Sequence, residues 1–231
     1  MDDTLHDASW RVFPRMLQEM RAYIERHLGV DAGEADRLRQ HFWARHGATL
    51  LGLVREHGVH AEHFLAETHR FDDLPGLLRS DRSQRAALRR LDGRKYVLTN
   101  APRAYALRVL RAIGILHAFD GVIAIEDMRQ FGQWRPKPDA RMLRHVLRRL
   151  RLRPAQCLLV EDTLEHLRAA RTMGLRGVWF TRYAHRALRR DATAVSGRPG
   201  RRPSRHGRPG WVGARTATLW RLRRLRHASR R

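Results

Sequence analysis

Four short segments hold the side chains whose types and order could carry out phosphoryl transfer. They are MDDTL at residues 1–5, YVLTNAP at 96–102, RPKPD at 135–139 and CLLVEDTLEHL at 157–167. A threonine that ends a strand, then an isolated lysine, then an acidic pair that ends a later strand, is how a Mg²⁺-dependent phosphoryl-transfer site is assembled on an α/β sheet. The order of the segments therefore predicts such a site.

The second and third segments supply the groups expected to bind a phosphate. Thr99 and Asn100 follow a short apolar run, so the Thr99 hydroxyl and the backbone N–H of Asn100 are expected to point at a phosphate oxygen. Lys137 lies between two prolines and offers a compact positive charge to the same phosphate. The other lysine, Lys95, has no role that we can assign. We predict phosphate binding by Thr99, Asn100 and Lys137, with Thr99 and Lys137 also acting in catalysis.

The first and fourth segments supply carboxylates. Glu161 and Asp162 follow the apolar run CLLV, and hard oxygen donors at this position suit Mg²⁺. Asp2 is a candidate general acid towards the leaving alkoxide, and then a general base for water. A nucleophilic carboxylate is also expected two residues before Asp2, at a position that would precede Met1.

The elements that must position these residues alternate between short apolar strands and helices. Strands are predicted over 96–99, 122–125, 157–160 and 178–181, and helices over 102–114, 140–150 and 164–173. This alternation predicts an α/β fold with a Rossmann-like parallel sheet covered by helices. Ligands of such sheets bind at the carboxyl ends of the strands, where all four segments place their polar residues.

A helical segment precedes this sheet. Apolar residues at three- and four-residue spacing predict its helices, over 11–28, 34–46, 48–57 and 61–69. We therefore expect three parts in the chain. They are an α/β core of residues 1–9 and 76–190, a small helical cap of residues 10–75, and a disordered Arg-rich tail of residues 191–231.

The tail is a candidate for electrostatic contact with polyanions. The net charge of the chain is +24, and residues 186–231 contain 15 Arg and one acidic residue, Asp191. Such charge attracts RNA or an anionic membrane surface without sequence specificity. A strong bias of Arg over Lys is also typical of a GC-rich genome, and the tail could be a frameshifted or read-through segment. Both interpretations stay open.

Other features bear on the compartment of the protein. The single cysteine, Cys157, excludes an internal disulfide framework and suits a reducing cytoplasm. No apolar run approaches the roughly 18 residues of a membrane helix. The chain opens with acidic residues rather than a basic stretch followed by an apolar one, so no signal peptide is indicated. We expect a cytoplasmic protein without a membrane span.

The helical segment also contains a histidine triplet, His57, His60 and His63. The spacing H-x-x-H-x-x-H could indicate zinc, but Gly58 lies within it, next to a predicted turn, and no cysteine is near. Scattered surface histidines are the more common case, so we interpret the triplet as surface residues.

Together the four segments resemble the motifs of the haloacid dehalogenase superfamily of phosphohydrolases. More narrowly, they resemble its pyrimidine 5′-nucleotidase-like branch, in which a helical cap follows the first motif. The resemblance covers about residues 1–185 and includes ATLLGLV at 48–54, AIEDM at 124–128 and VEDTL at 160–164. It implies hydrolysis of a small phosphomonoester, in particular a nucleoside 5′-monophosphate, through an aspartyl-phosphate intermediate and with Mg²⁺ as cofactor.

The resemblance also implies a role for each matching residue. Asp2 corresponds to the acid/base aspartate, whose backbone carbonyl also binds Mg²⁺. Thr99 and Asn100 correspond to the phosphate-binding second motif and Lys137 to the third-motif lysine. Glu161 and Asp162 correspond to the metal-binding fourth motif. A dehalogenase of the same superfamily needs neither the acid at Asp2 nor the metal cluster, so a phosphohydrolase is favoured.

Three features depart from the family pattern. The nucleophilic aspartate and the first strand are missing from the 231 residues, His166 stands where an asparagine is expected, and the Arg-rich tail has no counterpart. Without the nucleophile the aspartyl-phosphate cannot form, so the chain as written is expected to be impaired. Our hypothesis is that its start codon has been assigned too late. The alternative is an inactive fragment or pseudoenzyme with a polyanion-binding tail.

Overall fold

The protein is described by a computed structural model that covers residues 1–183. The predicted tail of residues 191–231 lies outside the described residues. The helices are α1 (Ala8–Leu28), α2 (Ala32–His46), α3 (Thr49–His57), α4 (Ala61–Thr68), α5 (Leu74–Leu77), α6 (Ser83–Arg90), α7 (Arg103–Ala112), α8 (Ala140–Arg149) and α9 (Leu164–Thr172). The strands are β1 (Tyr96–Leu98), β2 (Gly121–Ile123), β3 (Arg129–Gln130), β4 (Gln133–Trp134), β5 (Leu158–Glu161) and β6 (Arg176–Trp179).

Helices α1 to α4 confirm the four helical patterns of the sequence. Gly29 ends α1 in a left-handed conformation, and its N–H donates to the carbonyl of Glu25. Asp31 then begins α2, because its side chain accepts the N–H of Glu34 at 2.9 Å. Gly47 ends α2 in the same left-handed way as Gly29. The chain turns between these helices where its sequence contains Gly and Asp.

The strands confirm the α/β class, with small shifts in position. β1 pairs in parallel with β2, and β5 pairs in parallel with β6. The last strand lies two residues earlier than predicted, and the second ends at Ile123, where a 3₁₀ turn over Ile125–Met128 replaces the strand. These offsets arise because apolar residues continue past the last ladder hydrogen bond, and burial alone does not distinguish strand from turn.

The two parallel pairs are not hydrogen-bonded to each other within residues 1–183. Each of β1 and β5 therefore has one edge without a strand partner among the described residues. The two parallel pairs confirm the α/β class, and the predicted absence of a first strand stays a prediction. A short antiparallel hairpin of β3 and β4 was not predicted, and its turn has Phe131 and Gly132 at positive φ.

Two hydrophobic clusters connect the helices to the strands. In the first, the start of α1 packs with Phe71, Val97 and Tyr105. In the second, α1 to α4 pack with Met128 and Met142, which belong to the α/β part of the chain. The helical segment therefore rests on the α/β part through shared apolar contacts, and those contacts hold the four sequence segments in place.

Candidate active site

The structure brings all four sequence segments together. The hydroxyl of Thr4 in the first segment donates to Asp162 in the fourth at 2.7 Å. Lys137 in the third segment donates its Nζ hydrogen to Oε2 of Glu161, also at 2.7 Å. The second segment joins through Asn100, whose side chain contacts the backbone of Lys137. Residues separated by up to 158 positions thus meet in one region.

Thr99 lies directly after β1 and is 2% exposed. Its N–H extends the parallel ladder by donating to the carbonyl of Ile123 at 2.9 Å. Its hydroxyl oxygen accepts the N–H of Ala101 at 3.1 Å. A hydroxyl that accepts one bond still has its own proton to donate, so Thr99 keeps the capacity that phosphate binding requires.

Asn100 fixes the loop that carries Lys137. Its Oδ1 accepts the N–H of Lys137 at 2.8 Å, and its Nδ2 donates to the carbonyl of the same residue at 3.1 Å. This two-point contact sets the position of the Lys137 backbone relative to the end of β1. In addition to the phosphate contact expected from its N–H, Asn100 has a side chain that positions the lysine.

Lys137 and Glu161 form a buried ion pair, with side chains that are 6% and 4% exposed. Nδ1 of His166 lies 3.3 Å from the other carboxylate oxygen of Glu161. Burial alone would raise the pKa of Glu161, but His166 and the charge of Lys137 hold that pKa below its ordinary value. Glu161 is therefore ionised, and His166 contacts the carboxylate that an asparagine was expected to help position.

Asp162 is the neighbour of Glu161, yet its environment is opposite. Its carboxylate accepts the hydroxyls of Thr4, at 2.7 Å, and Thr163, at 3.3 Å. Burial and the negative charge of Glu161 raise the pKa of Asp162 to about 6. A nearby cation would oppose this shift by favouring the ionised carboxylate, so a positive partner beside Asp162 would relieve the repulsion from Glu161.

Asp2 is held by two buried side chains. His6 donates from Nε2 to the carboxylate at 2.8 Å, and the phenol of Tyr105 donates to it at 3.1 Å. Burial would raise the pKa of Asp2, but these two hydrogen bonds lower it below the ordinary value. Burial and the charge of Asp2 raise the pKa of Tyr105 well above its ordinary value, so the phenol keeps the proton that it donates.

The carboxylates of the three predicted metal ligands do not converge on a single point. Among residues 1–183, the carboxylates of Asp2, Glu161 and Asp162 do not form a group with oxygens within 4.8 Å of one another, but the ligand atom expected from Asp2 is its backbone carbonyl. The donor chemistry nevertheless fits Mg²⁺, because Glu161 and Asp162 offer carboxylate oxygens and Asp2 a carbonyl oxygen, and because burial and the charge of Glu161 raise the pKa of Asp162. Glu161 would have to exchange part of its present hydrogen bonding for a metal contact.

Sequence reasoning missed the residues that position the predicted ones. Tyr105 lies on α7 and has no local signal for its contact with Asp2. His6 follows Asp2 by four residues, and that spacing was the available clue. Thr4 was noted only as part of a motif, although its hydroxyl reaches Asp162.

As for membranes, none of the helices in residues 1–183 is long and apolar enough to span a bilayer.

Comparison with known proteins shows which family of hydrolases the sequence matches. A family model for haloacid dehalogenase-like hydrolases matches residues 1–174. The curated protein named phosphate metabolism protein 8 of Saccharomyces cerevisiae is 25% identical over 187 residues, which cover 76% of this chain and 58% of the yeast protein. The sesquiterpene phosphatase astK of Aspergillus oryzae is 34% identical over 118 residues, which cover 48% of this chain and 56% of the fungal protein.

The chain thus spans a little over half the length of these curated relatives. Among solved structures, a HAD phosphatase from Thermococcus onnurineus superposes with a TM-score of 0.56 and 20% sequence identity. The superposition covers 97% of this chain and 94% of the archaeal one. At this level of identity the superposition establishes a shared fold.

Proposed function

We propose, from the premise that this chain belongs to the haloacid dehalogenase-like hydrolases, that its four segments form the site of a Mg²⁺-dependent phosphomonoester hydrolase. The proposal rests mainly on the contacts of Asn100 with Lys137 and of Lys137 with Glu161, which connect the second, third and fourth segments. A phosphate needs cations and hydroxyl or N–H donors, and a transferring phosphoryl group also needs compensation of its charge.

In the proposed mechanism Thr99 and Lys137 bind the phosphate, and the N–H of Asn100 donates to one of its oxygens. The Nζ of Lys137 contacts Glu161 at 2.7 Å, so this carboxylate keeps the ammonium directed into the site. Asp2 is ionised in this structure, because His6 and Tyr105 lower its pKa, so it must first take up a proton, which the negative charge of a bound phosphate would favour. The protonated Asp2 then protonates the leaving alkoxide and afterwards removes a proton from the attacking water. The nucleophile is a carboxylate two residues before Asp2, which would lie upstream of the 231 residues.

Mg²⁺ would be held by Asp2, Glu161 and Asp162, and would supply compensation for the negative charge that develops during transfer. Asp162 supports this assignment most directly, because its pKa is raised to about 6 by burial and by the charge of Glu161. An ionised Asp162 beside a metal ion avoids the repulsion that it faces alone. His166 would then orient Glu161, as its 3.3 Å contact suggests.

The proposed substrate is small and phosphorylated, and a nucleoside 5′-monophosphate is the class to test first. The segments ATLLGLV, AIEDM and VEDTL support this choice, because they resemble the pyrimidine 5′-nucleotidase-like branch. Residues 10–75 would act as the cap that selects the substrate. Of the aromatic residues there, Tyr23 and Phe42 are buried in the core, whereas Trp43 is 66% exposed and is free to contact a base.

The proposed location of the protein is the cytoplasm.

The direct test is release of inorganic phosphate from UMP by a chain extended at its N-terminus. The extension is an apolar strand that ends in an aspartate immediately before Met1, and the matched control ends in asparagine instead. We expect turnover only from the aspartate form and only with Mg²⁺. No turnover from a folded aspartate form, on UMP or on other small phosphomonoesters, would refute the proposal.

A second candidate function is polyanion binding by an inactive fragment or pseudoenzyme, and the 15 Arg of residues 186–231 favour it. Binding through phosphate contacts falls steeply as salt concentration rises. The test is RNA binding by the 231-residue chain and by a chain without residues 191–231, at two salt concentrations. This candidate expects salt-sensitive binding that the deletion abolishes. Binding that survives the deletion would exclude the tail as the binding element.

A further inference from the structure

A second set of candidate ligands lies away from the four segments, where the C-terminal end of α1 meets α4. His27 is in the last turn of α1, and His63 and Glu67 lie one helical turn apart on α4. One donor atom of each residue lies within 4.8 Å of the donor atoms of the other two. We propose that His27, His63 and Glu67 form a binding site for a transition-metal ion, with Zn²⁺ as the ion that best suits them.

The donor set favours Zn²⁺ over Mg²⁺. Two imidazoles and one carboxylate are typical ligands of Zn²⁺, whereas Mg²⁺ prefers oxygen alone. Donors at about 2.0–2.1 Å from a tetrahedral Zn²⁺ lie roughly 3.4 Å apart. Nε2 of His63 and Oε1 of Glu67, now 2.9 Å apart, would therefore separate slightly, while the donor of His27 would approach from within 4.8 Å. Both histidines are exposed, which leaves water free to complete the coordination.

Each ligand is already oriented by a second residue. The Nδ1–H of His27 donates to the backbone carbonyl of Tyr23 at 2.9 Å, so Nε2 is the nitrogen with the free lone pair. Nδ1 of His63 lies 3.0 Å from the phenol oxygen of Tyr23. Arg26 donates to Oε2 of Glu67 at 2.7 Å, which leaves Oε1 for another partner. Metal-binding histidines and carboxylates are typically fixed by such outer contacts.

Tyr23 connects the two helices at this site. It is 2% exposed, and its ring stacks on that of His27 with centroids 3.9 Å apart. Its hydroxyl faces His63 across the helix interface. A buried residue with one contact to each histidine makes the pair a rigid arrangement rather than two independent surface side chains.

The simpler account is a surface ion pair, since Nε2 of His63 lies 2.9 Å from Oε1 of Glu67. Such i, i+4 pairs are common on helices and need no metal. That account covers two of the three residues, and Tyr23 places the third through the stacked ring and the backbone carbonyl that His27 contacts. A metal ion would in addition use the Nε2 of His27, which those contacts leave available. Of the histidine triplet, only His63 belongs to the site, because His57 contacts the ring of Phe42 instead.

The test is titration of the untagged 231-residue chain with Zn²⁺ by calorimetry, and with Co²⁺ by visible absorption. We expect one binding event in the parent chain that weakens at least about tenfold in His27→Ala, His63→Ala and Glu67→Gln. His60→Ala is the matched control, because His60 is an exposed histidine beside α4 and outside the site, and it should bind as the parent does.

Tyr23→Phe separates a metal site from a folding effect. It removes only the hydroxyl that faces His63 and keeps the stacked ring, so the helices should stay folded by circular dichroism while Zn²⁺ binding weakens. Zn²⁺ should also raise the thermal unfolding temperature of the parent and not that of His63→Ala. Equal binding by the parent and the three ligand variants, or an equal loss in His60→Ala, would overturn the proposal. Neither outcome depends on hydrolase activity.

Discussion

The four-segment site and the cluster of His27, His63 and Glu67 both offer metal-binding side chains, but they are built in opposite ways. The four-segment site draws residues from positions 2 to 166, and its ion pair is buried. The cluster takes its ligands from two neighbouring helices, and both of its histidines are exposed. In the first region Lys137 and Glu161 are paired in a buried setting, whereas in the second Glu67 pairs with Arg26 and His63 at partly exposed side chains that water also reaches.

The difference in burial should decide where a substitution lowers the free energy of unfolding and where it weakens only binding. A buried charge without its partner destabilises the folded state strongly, while an exposed ion pair contributes little. Variants of the four-segment site should therefore lower the free energy of unfolding, and variants of the cluster should not.

The largest effect is expected from Lys137→Met, which leaves the buried carboxylate of Glu161 without its cation. We expect the free energy of unfolding in urea to fall by about 3–5 kcal/mol. Lys95→Met is the matched control, because this lysine is only partly buried and its Nζ donates to a backbone carbonyl, that of Gly93, at 3.1 Å. The contrast between the regions would fail if both lysine variants lost the same amount.

His69 is buried, so its protonation should affect the free energy of unfolding more than protonation of an exposed histidine does. Burial lowers the pKa of His69 to about 4, although the charge of Asp2 opposes the shift. The folded-state pKa of His69 is below the unfolded value of about 6.5, so the folded state holds a neutral His69 without cost above that pH. As the pH falls towards 4, the unfolded chain takes up the proton first, and the free energy of unfolding decreases.

The stability advantage of the parent over His69→Gln should therefore shrink by about 3 kcal/mol between pH 7 and pH 4. Urea unfolding at several pH values measures it. The control is His117→Gln, which changes an exposed histidine and so shows how much of the pH dependence does not come from burial. A pH-independent difference for His69→Gln would contradict the stated burial of its ring.

A third prediction concerns the packing of α3 against α2. A Cβ added to Gly52 on α3 would lie 2.1 Å from the ring of the buried Phe42. Gly52→Ala should therefore cost about 1–3 kcal/mol through overpacking. Gly76→Ala is the control, because nothing lies within 4 Å of its added Cβ. An unchanged melting temperature for Gly52→Ala would mean that α2 and α3 pack less tightly than described.

The smallest effect is expected from Asn100→Ala. This change removes both hydrogen bonds to the backbone of Lys137 and should cost about 1–2 kcal/mol. In the extended chain it should also raise KM for the phosphomonoester, because the lysine is no longer held in position. Asn100→Asp keeps the acceptor for the Lys137 N–H and should lose less stability. A greater loss in the aspartate variant would show that charge, not positioning, dominates at this residue.

Much of the fold could be predicted from the sequence because its signals are local. The apolar periodicity of residues 11–28 and the glycine that follows define α1 without reference to the rest of the chain. The hairpin of β3 and β4 escaped prediction, because its turn has Phe131 where Asn or Asp is more typical. The limits of β2 and β6 also depend on pairing with distant strands.

The site was predictable where its residues end strands or occur in ordered motifs, as Thr99, Lys137 and Asp162 do. The partners of these residues were not predictable, since the bond between Thr4 and Asp162 crosses 158 positions. The opposite pKa shifts of Glu161 and Asp162 arise from neighbours in space, and adjacent letters in a sequence do not distinguish them. The convergence of His27 on His63 had no sequence signal for the same reason.

Whether the four segments form one site for phosphate and Mg²⁺ is tested by measuring the affinity of the 231-residue chain for UMP with and without Mg²⁺, by calorimetry. If the four segments form one site for phosphate and metal, each ligand must raise the affinity for the other by the same factor. We predict UMP binding at least about tenfold tighter with Mg²⁺, and loss of that coupling in Asp162→Asn, which keeps the acceptor for Thr4. UMP affinity that is the same with and without Mg²⁺ would contradict the account.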